Sequence, residues 1–393
     1  MTNDKSRRRK ILISGSLFHI FHDSVADGLA VLLPFWQTAF QLSLTQVGLL
    51  VTCFESATAL FQIPAGFLGE RYGERRLLTL GTLVTTLSFI LLALTGNVYT
   101  LCILLVIGGL GAGVQHPLAS AMISKAYSQG QRRVALGTYN FSGDMGKFLF
   151  PAIAAVVLSM AGWRQLCFGY GLVGFVMTIG LYLLLRNGQV GGVDAPAEKN
   201  HRKNSGWGIE NKKAFSTLSA IGFIDTAVRS SLITFLPFLL IGKGMPMESG
   251  GLALSLLFVG GAFGKFACGI MAEKIGVIRS IVITEAVTGL GILYLYAAGL
   301  TGILIFLPVL GIALNGTSSV LYGTVADFVS VSHVPRAFSL FYTAIIFAAA
   351  LSPPVFGWIS DAAGIGFTIL VVGLTALTTL PLTYVLSKES AVN

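Results

Sequence analysis

Four titratable residues crowd one apolar stretch near the N-terminus: His19, His22, Asp23 and Asp27, within ILISGSLFHIFHDSVADGLA from Ile11. His19, Asp23 and Asp27 are spaced four apart, so on a helix they form a single stripe. Two carboxylates at that spacing repel when both are ionised, and histidines change charge near neutral pH. The chemistry offered is uptake and release of a proton. Other ionisable residues stand in later apolar stretches: Glu55, His116, Asp144 with Lys147, Asp225 with Arg229, Lys265 and Glu285.

Charge counting sharpens this reading. Lys147 follows Asp144 by three residues and Arg229 follows Asp225 by four, spacings that allow neutralisation within one helix. The excess acid then falls on Asp23, Asp27 and Glu55. A buried carboxyl without a cation favours its protonated form, so this trio is the predicted proton carrier, with His19 and His22 beside it. His116, Tyr139, Asp144, Lys147, Asp225 and Arg229 are the predicted ligand contacts. Lys147 and Arg229 lie at similar inferred depth, which suits an organic anion. The opposite assignment also stands: both cations are tied up by Asp144 and Asp225, and the acidic stripe receives a cation. His19 or His22 paired with Asp23, and His116 before Pro117, also read as packing contacts. His19, His22, Asp23, Asp27 and Glu55 could supply nitrogen and oxygen ligands, but no HxxxH or ExxH pair lies among them. No metal centre or other cofactor is expected, and divalent-metal transport is the lesser alternative.

The elements that must position these groups follow from composition. Of 393 residues, 54% are hydrophobic and only 11% charged, where a soluble domain has about a quarter charged. Apolar stretches run at about 11–36, 46–69, 77–96, 98–123, 134–160, 165–185, 214–241, 250–272, 280–299, 302–326, 337–360 and 365–387. Their length fits twelve membrane-crossing helices and exceeds the strands of a membrane barrel. An all-α membrane protein is predicted. The net charge of +9 would suggest nucleic acid in a soluble chain, but the basic residues mark loops. Of 26 Lys and Arg, 21 lie on the N-terminal side of the bundle, against only Arg164 and Lys243 in the opposite loops. Both termini are therefore predicted to be cytoplasmic. The basic run from Lys5 to Lys10 reads as a cytoplasmic tail before a retained helix, since His19, His22, Asp23 and Asp27 do not suit an export signal. Spans 3, 6 and 12, which carry no ionisable residue, are predicted to face lipid, and Glu285 to snorkel from near a span end.

The polar stretch 186–213 separates two halves, predicted as bundles of six helices at 1–185 and 214–393. An offset of 203 residues superposes Pro34 on Pro237, Gly48 on Gly251, Gly66 on Gly269, Glu70 on Glu273, Gly73 on Gly276, Tyr139 on Tyr342 and Pro151 on Pro354. Six spans per repeat give both copies the same orientation. Cys53, Cys102, Cys167 and Cys268 all sit in apolar runs, without metal-ligand spacing. Gly146-Lys147 and Gly264-Lys265 lack the remainder of a phosphate-binding loop, and no nucleophile elbow is present. An enzyme is not expected.

The turn after the second span reads GFLGERYGERR from Gly66, and its copy GIMAEKIG from Gly269. This resembles the signature loop of the major facilitator superfamily, with Glu70 where that family usually has Asp. In the first half, FHIFHD from Phe18, FQLSLTQVGLL from Phe40 and GAGVQHP from Gly111 resemble the fosmidomycin-resistance branch, with Leu118 where such relatives often carry an acid. The resemblance implies the major facilitator fold, two pseudo-symmetric bundles of six helices, with spans 1, 4, 7 and 10 lining a central path. It implies a gate at Gly66, Gly69, Glu70, Arg71, Gly73 and Arg75, with Glu273 and Lys274 as copies. It further implies a proton-coupled secondary transporter of the bacterial inner membrane, monomeric, exporting a small organic or drug-like compound by alternating access. Proton-linked uptake of a metabolite is the alternative.

Overall fold

The computed structural model describes residues 2–127, 129–187, 208–330 and 334–390; most of the predicted linker lies outside them. Among the described residues, twelve helices are long and apolar enough to cross a membrane: Ser6–Phe40, Leu44–Gly69, Glu74–Leu92, Val98–Ala126, Val134–Met160, Trp163–Arg186, Lys212–Gly242, Met247–Ile275, Val277–Ala297, Leu300–Phe328, Leu340–Ala363 and Ile365–Glu389. These are spans 1 to 12, and their ends fall within about five residues of the predicted ones. In hydrocarbon every backbone N–H and C=O must be paired internally, so uninterrupted apolar runs become helices. Among the described residues the extended pairing is one isolated antiparallel bridge, Ile209 with Val329.

The chain divides into two compact units. Unit 1, Met1–Leu32 with Cys53–His201, has a core built on Phe18, Leu78, Val114, Leu118, Tyr139 and Leu185. Unit 2, Leu33–Thr52 with Arg202–Asn393, has a core built on Phe215, Leu218, Ile281, Leu321, Phe328 and Phe341. Spans 1 and 7, equivalent in the two repeats, are the most buried, at 72% and 78% of their central window, while spans 6 and 12 are among the least, at 28% and 33%. Spans 6 and 12 fit the prediction of outer helices, whereas span 3, predicted with them, is 44% buried, as much as span 11.

The repeat is visible in the backbone. Gly73 (φ 87°) precedes span 3 and Gly276 (φ 90°) precedes span 9, each in a left-handed conformation that side chains resist. Two helices are interrupted near the acidic stripe: span 1 between Ala26 and Leu29, and span 4 between Ala112 and Gln115. Asp27 sits at the first break, where its N–H still reaches Asp23 O at 3.2 Å.

The hairpin 33–52 belongs to unit 2 because Asp361, near the end of span 11, closes the open N-terminus of span 2. Its carboxylate accepts from Leu44 N at 2.7 Å, Thr45 N at 2.9 Å and Thr45 Oγ1 at 2.5 Å. A carboxylate there answers both the unpaired N–H groups and the positive end of the helix dipole. Thr52 Oγ1 adds a bond to Ala350 O at 2.5 Å.

Candidate functional site

Span 1 can approach span 5 because glycine lines the crossing. A Cβ at Gly143 would stand 2.5 Å from Asp23 Oδ2 and 2.6 Å from His19 Nε2, and one at Gly146 would collide with the Ile20 carbonyl. The close approach brings the stripe against span 5. His19 stacks on Tyr139 with ring centroids 4.1 Å apart, and its Nδ1 lies 2.8 Å from Tyr139 O. A carbonyl only accepts, so Nδ1 carries the proton of that bond and Nε2 points towards Asp23. Tyr170 braces the other side of span 1, donating to Phe21 O at 3.0 Å and hydrogen-bonding Ser24.

Asp23 is the hub. Its Oδ1 lies 2.9 Å from His22 Nδ1, 3.3 Å from His19 Nε2 and 3.9 Å from His116 Nε2. Lys147 Nζ stands 3.5 Å from Asp23 Oδ2 and 2.8 Å from Asp27 Oδ2. His19, His22 and Asp23 are buried, whereas the His116 side chain is 46% exposed and gives the cluster its open side. Lys147 is thus not held by Asp144 alone, as the spacing in sequence suggests. Its ammonium reaches span 1, while Asp144, also buried, adds to the field around it.

This arrangement has room for one mobile proton. Two carboxylates face one fixed cation, and His19 Nε2 can attract Asp23 only if a proton lies between them, on the ring or on the carboxyl. His22 donates from Nδ1, and its buried Nε2 meets no hydrogen-bond partner among the described residues. Atoms of His19, Asp23 and His116 lie within 4.8 Å of one another, close enough to share a metal ion. The Lys147 ammonium already occupies the electrostatic place that a dication would take.

The remaining predicted residues are dispersed. Glu55 is half-buried on span 2, and Tyr139 forms the wall behind His19. Asp225, buried, and Arg229, half-buried, lie one turn apart on span 7 in unit 2. In the charged turn, Gly69 packs on Leu118, Gly66 has open space beside it and Gly73 begins span 3. Arg71 lies over the Tyr72 ring at 5.3 Å and Arg75 donates to Leu185 O at 3.4 Å. The Glu70 side chain lies outside the described residues, and Glu273 and Lys274 are exposed.

Two acids were missed and a third was misplaced. Glu74, buried at the start of span 3, pairs with Lys125 at 2.6 Å. Asp361 caps span 2, as described above. Glu285 does not snorkel: it is 1% exposed, and Thr379 Oγ1 lies 3.1 Å from its Oε2. Its signal in the sequence is a lone acid in an otherwise uncharged stretch.

Known proteins agree with this architecture. A family model described as Major Facilitator Superfamily matches residues 12–251 and 218–392. The fosmidomycin resistance protein of Escherichia coli (strain K12) is 26% identical over 290 residues, 71% of this chain and 68% of that protein. A probable L-galactonate transporter of the same organism is 31% identical over 147 residues, 37% of this chain and 32% of that protein. A probable sulfoacetate transporter, SauU, of Cupriavidus necator is 22% identical over 364 residues, 86% of this chain and 83% of that protein. The crystal structure of a bacterial homolog to the human lysosomal transporter Spinster, described as inward-facing and unoccupied, superposes with a TM-score of 0.81 at 17% identity, covering 98% of this chain and 97% of that one. With twelve apolar spans, the described fold and a family match over nearly its whole length, this multi-pass membrane protein belongs to the Major Facilitator Superfamily.

Proposed function

We propose that the chain is a proton-coupled secondary transporter that exports a small organic or drug-like compound by alternating access. It acts in the bacterial inner membrane with both termini in the cytoplasm. The observation that carries the coupling is a single carboxylate, Asp23, shared by three imidazoles and Lys147. Asp23, Asp27, His19 and His22 exchange the proton, with Glu55 as a further acid. In unit 1 the substrate contacts are His116, on the exposed side, with Tyr139, Asp144 and Lys147; in unit 2 they are Asp225 and Arg229. The turn containing Glu70, Arg71 and Arg75, with its copy at Glu273 and Lys274, acts as the gate. Similarity to a fosmidomycin resistance protein supports export, and the skewed distribution of Lys and Arg supports the orientation.

A second reading, proton-linked uptake of an organic anion, is favoured by one contact. An anion reaching Lys147 must part it from Asp27 at 2.8 Å and Asp23 at 3.5 Å. That separation is easiest when the carboxylates are protonated, so anion and proton would bind together. Two relatives are named for the anions L-galactonate and sulfoacetate.

Linkage separates the two readings, because a proton and a substrate that compete weaken each other by the same factor. Binding of fosmidomycin and of a panel of organic anions to the purified chain, measured against pH, gives the sign. For antiport, affinity falls as pH falls; for symport, it rises. In liposomes with an imposed pH gradient, Asp23→Asn is expected to abolish gradient-driven flux while leaving substrate exchange. Normal gradient-driven accumulation in Asp23→Asn, Asp27→Asn and Glu55→Gln alike would remove the coupling assignment.

A further inference from the structure

We infer that Asp225 and Glu285 form a second proton-binding site, inside unit 2, with Glu285 as the group that holds the proton. The inference extends the coupling reading above to a place which that reading assigns to substrate. Three observations carry it. First, both residues are buried, Asp225 at 3% and Glu285 at 1% exposure, and each acid is among the groups that act on the other. Two acids that interact in a dry interior repel when both are ionised, so the pair favours holding one proton.

Second, the Thr379 hydroxyl divides its one hydrogen between Ala376 O at 2.6 Å and Glu285 Oε2 at 3.1 Å, so Oε2 receives only a share of one neutral donor. Third, Glu285 Oε1 meets no donor from the protein among the described residues. An ionised carboxylate buried without donors is strongly disfavoured, whereas a neutral acid is tolerated.

Asp225 is placed differently. Arg229, one turn along span 7, acts on it electrostatically. Among the described residues, Arg229 is the charged side chain that acts on the pair besides the two acids themselves, and span 12 contributes the Thr379 hydroxyl. Asp225 therefore takes the charge, neutralised by Arg229, and Glu285 takes the proton. Releasing that proton leaves two charged carboxylates facing one guanidinium in a dry interior. It therefore requires water or a cationic group to reach the pair, which ties proton release to opening of unit 2.

The test is infrared spectroscopy of the full-length protein in lipid, following the carbonyl band of protonated carboxylic acids as pH is raised and H2O is exchanged for D2O. Wild type is expected to keep a protonated carboxyl at neutral pH. Glu285→Gln should remove a band equivalent to one carboxyl, while Asp225→Asn should retain it at a shifted frequency. An unchanged band in Glu285→Gln, with the variant folded by circular dichroism, overturns the proposal. So does a wild-type spectrum without a protonated carboxyl at neutral pH. Neither result depends on flux, so failure here is distinguishable from failure of the span 1 coupling reading, which rests on transport by Asp23→Asn.

Discussion

In unit 1, Asp23 and Asp27 face Lys147 at 3.5 and 2.8 Å and are ringed by His19, His22 and His116. In unit 2, Asp225 and Glu285 act on each other, with Arg229 one turn along span 7 from Asp225 and the Thr379 hydroxyl 3.1 Å from Glu285 Oε2. Both sites place two acids where the surroundings are largely protein, but the first has a cation between them and an exposed imidazole at its edge. The second is sealed. The contrast distinguishes a charged site, where excess charge is balanced by an ammonium and titrating rings, from a neutral one, where the balance is a retained proton. Neutral isosteres should therefore be disruptive in the first site and mild in the second.

The largest effect is expected at Lys147. Lys147→Met leaves Asp23 and Asp27 without their ammonium, and stranding one member of a buried ion pair costs about 3–5 kcal/mol. Thermal unfolding in detergent should show a pronounced loss of stability, and adding Asp27→Asn should restore part of it, because the surplus charge is then removed. An unfolding temperature unchanged in Lys147→Met would mean that the acids are balanced by protons in unit 1 as well, and the contrast would collapse.

A smaller effect is expected at Asp361. Asp361→Ala removes the acceptor for Leu44 N, Thr45 N and Thr45 Oγ1; loss of a capping carboxylate costs about 1–2 kcal/mol. Hydrogen exchange should accelerate at the amides of Leu44 and Thr45. Because the hydrogen bonds of Asp361 go to Leu44 and Thr45 on span 2, this variant also calibrates how far stability shifts on loss of a cap. Protection equal to wild type at those amides would show that the hairpin is held by packing alone.

The span boundaries were legible because hydrophobic runs end at glycines and charges, which membrane helices use as borders. The stripe of His19, Asp23 and Asp27 was legible because helical spacing alone aligns those residues. Partners were harder to read. Lys147 reads as a local mate of Asp144, three residues away, but Gly143 and Gly146 let span 1 come so close that its ammonium reaches Asp27. Those glycines were visible; their meaning depended on which helix lay opposite. Glu285 reads as an acid near a span end, free to reach water, yet spans 7 and 12 cover it, a tertiary fact that helix periodicity does not contain. The left-handed glycines before spans 3 and 9 belong to the legible part, since Gly73 and Gly276 recur at the repeat offset.

The smallest effect, and the most informative in sign, is expected for Glu285→Gln. If Glu285 is a neutral acid, glutamine preserves its volume and neutrality; its amide can donate to Asp225 while its oxygen or second N–H meets Thr379. Stability at neutral pH should then change by less than about 1 kcal/mol, within the range of a single exchanged hydrogen bond. If both acids were ionised, the same substitution would remove a buried repulsion and stabilise the protein. If instead Glu285 were the charged partner of Arg229, it would leave the guanidinium uncompensated and destabilise the protein by as much as Lys147→Met does in unit 1. Chemical denaturation of wild type, Glu285→Gln and Asp27→Asn side by side resolves the three cases. The contrast between the units stands if Asp27→Asn costs clearly more than Glu285→Gln, because the first strips a counter-charge from Lys147 and the second replaces a proton donor by another donor. Equal losses, or a gain in Glu285→Gln, would place both sites in the same electrostatic class.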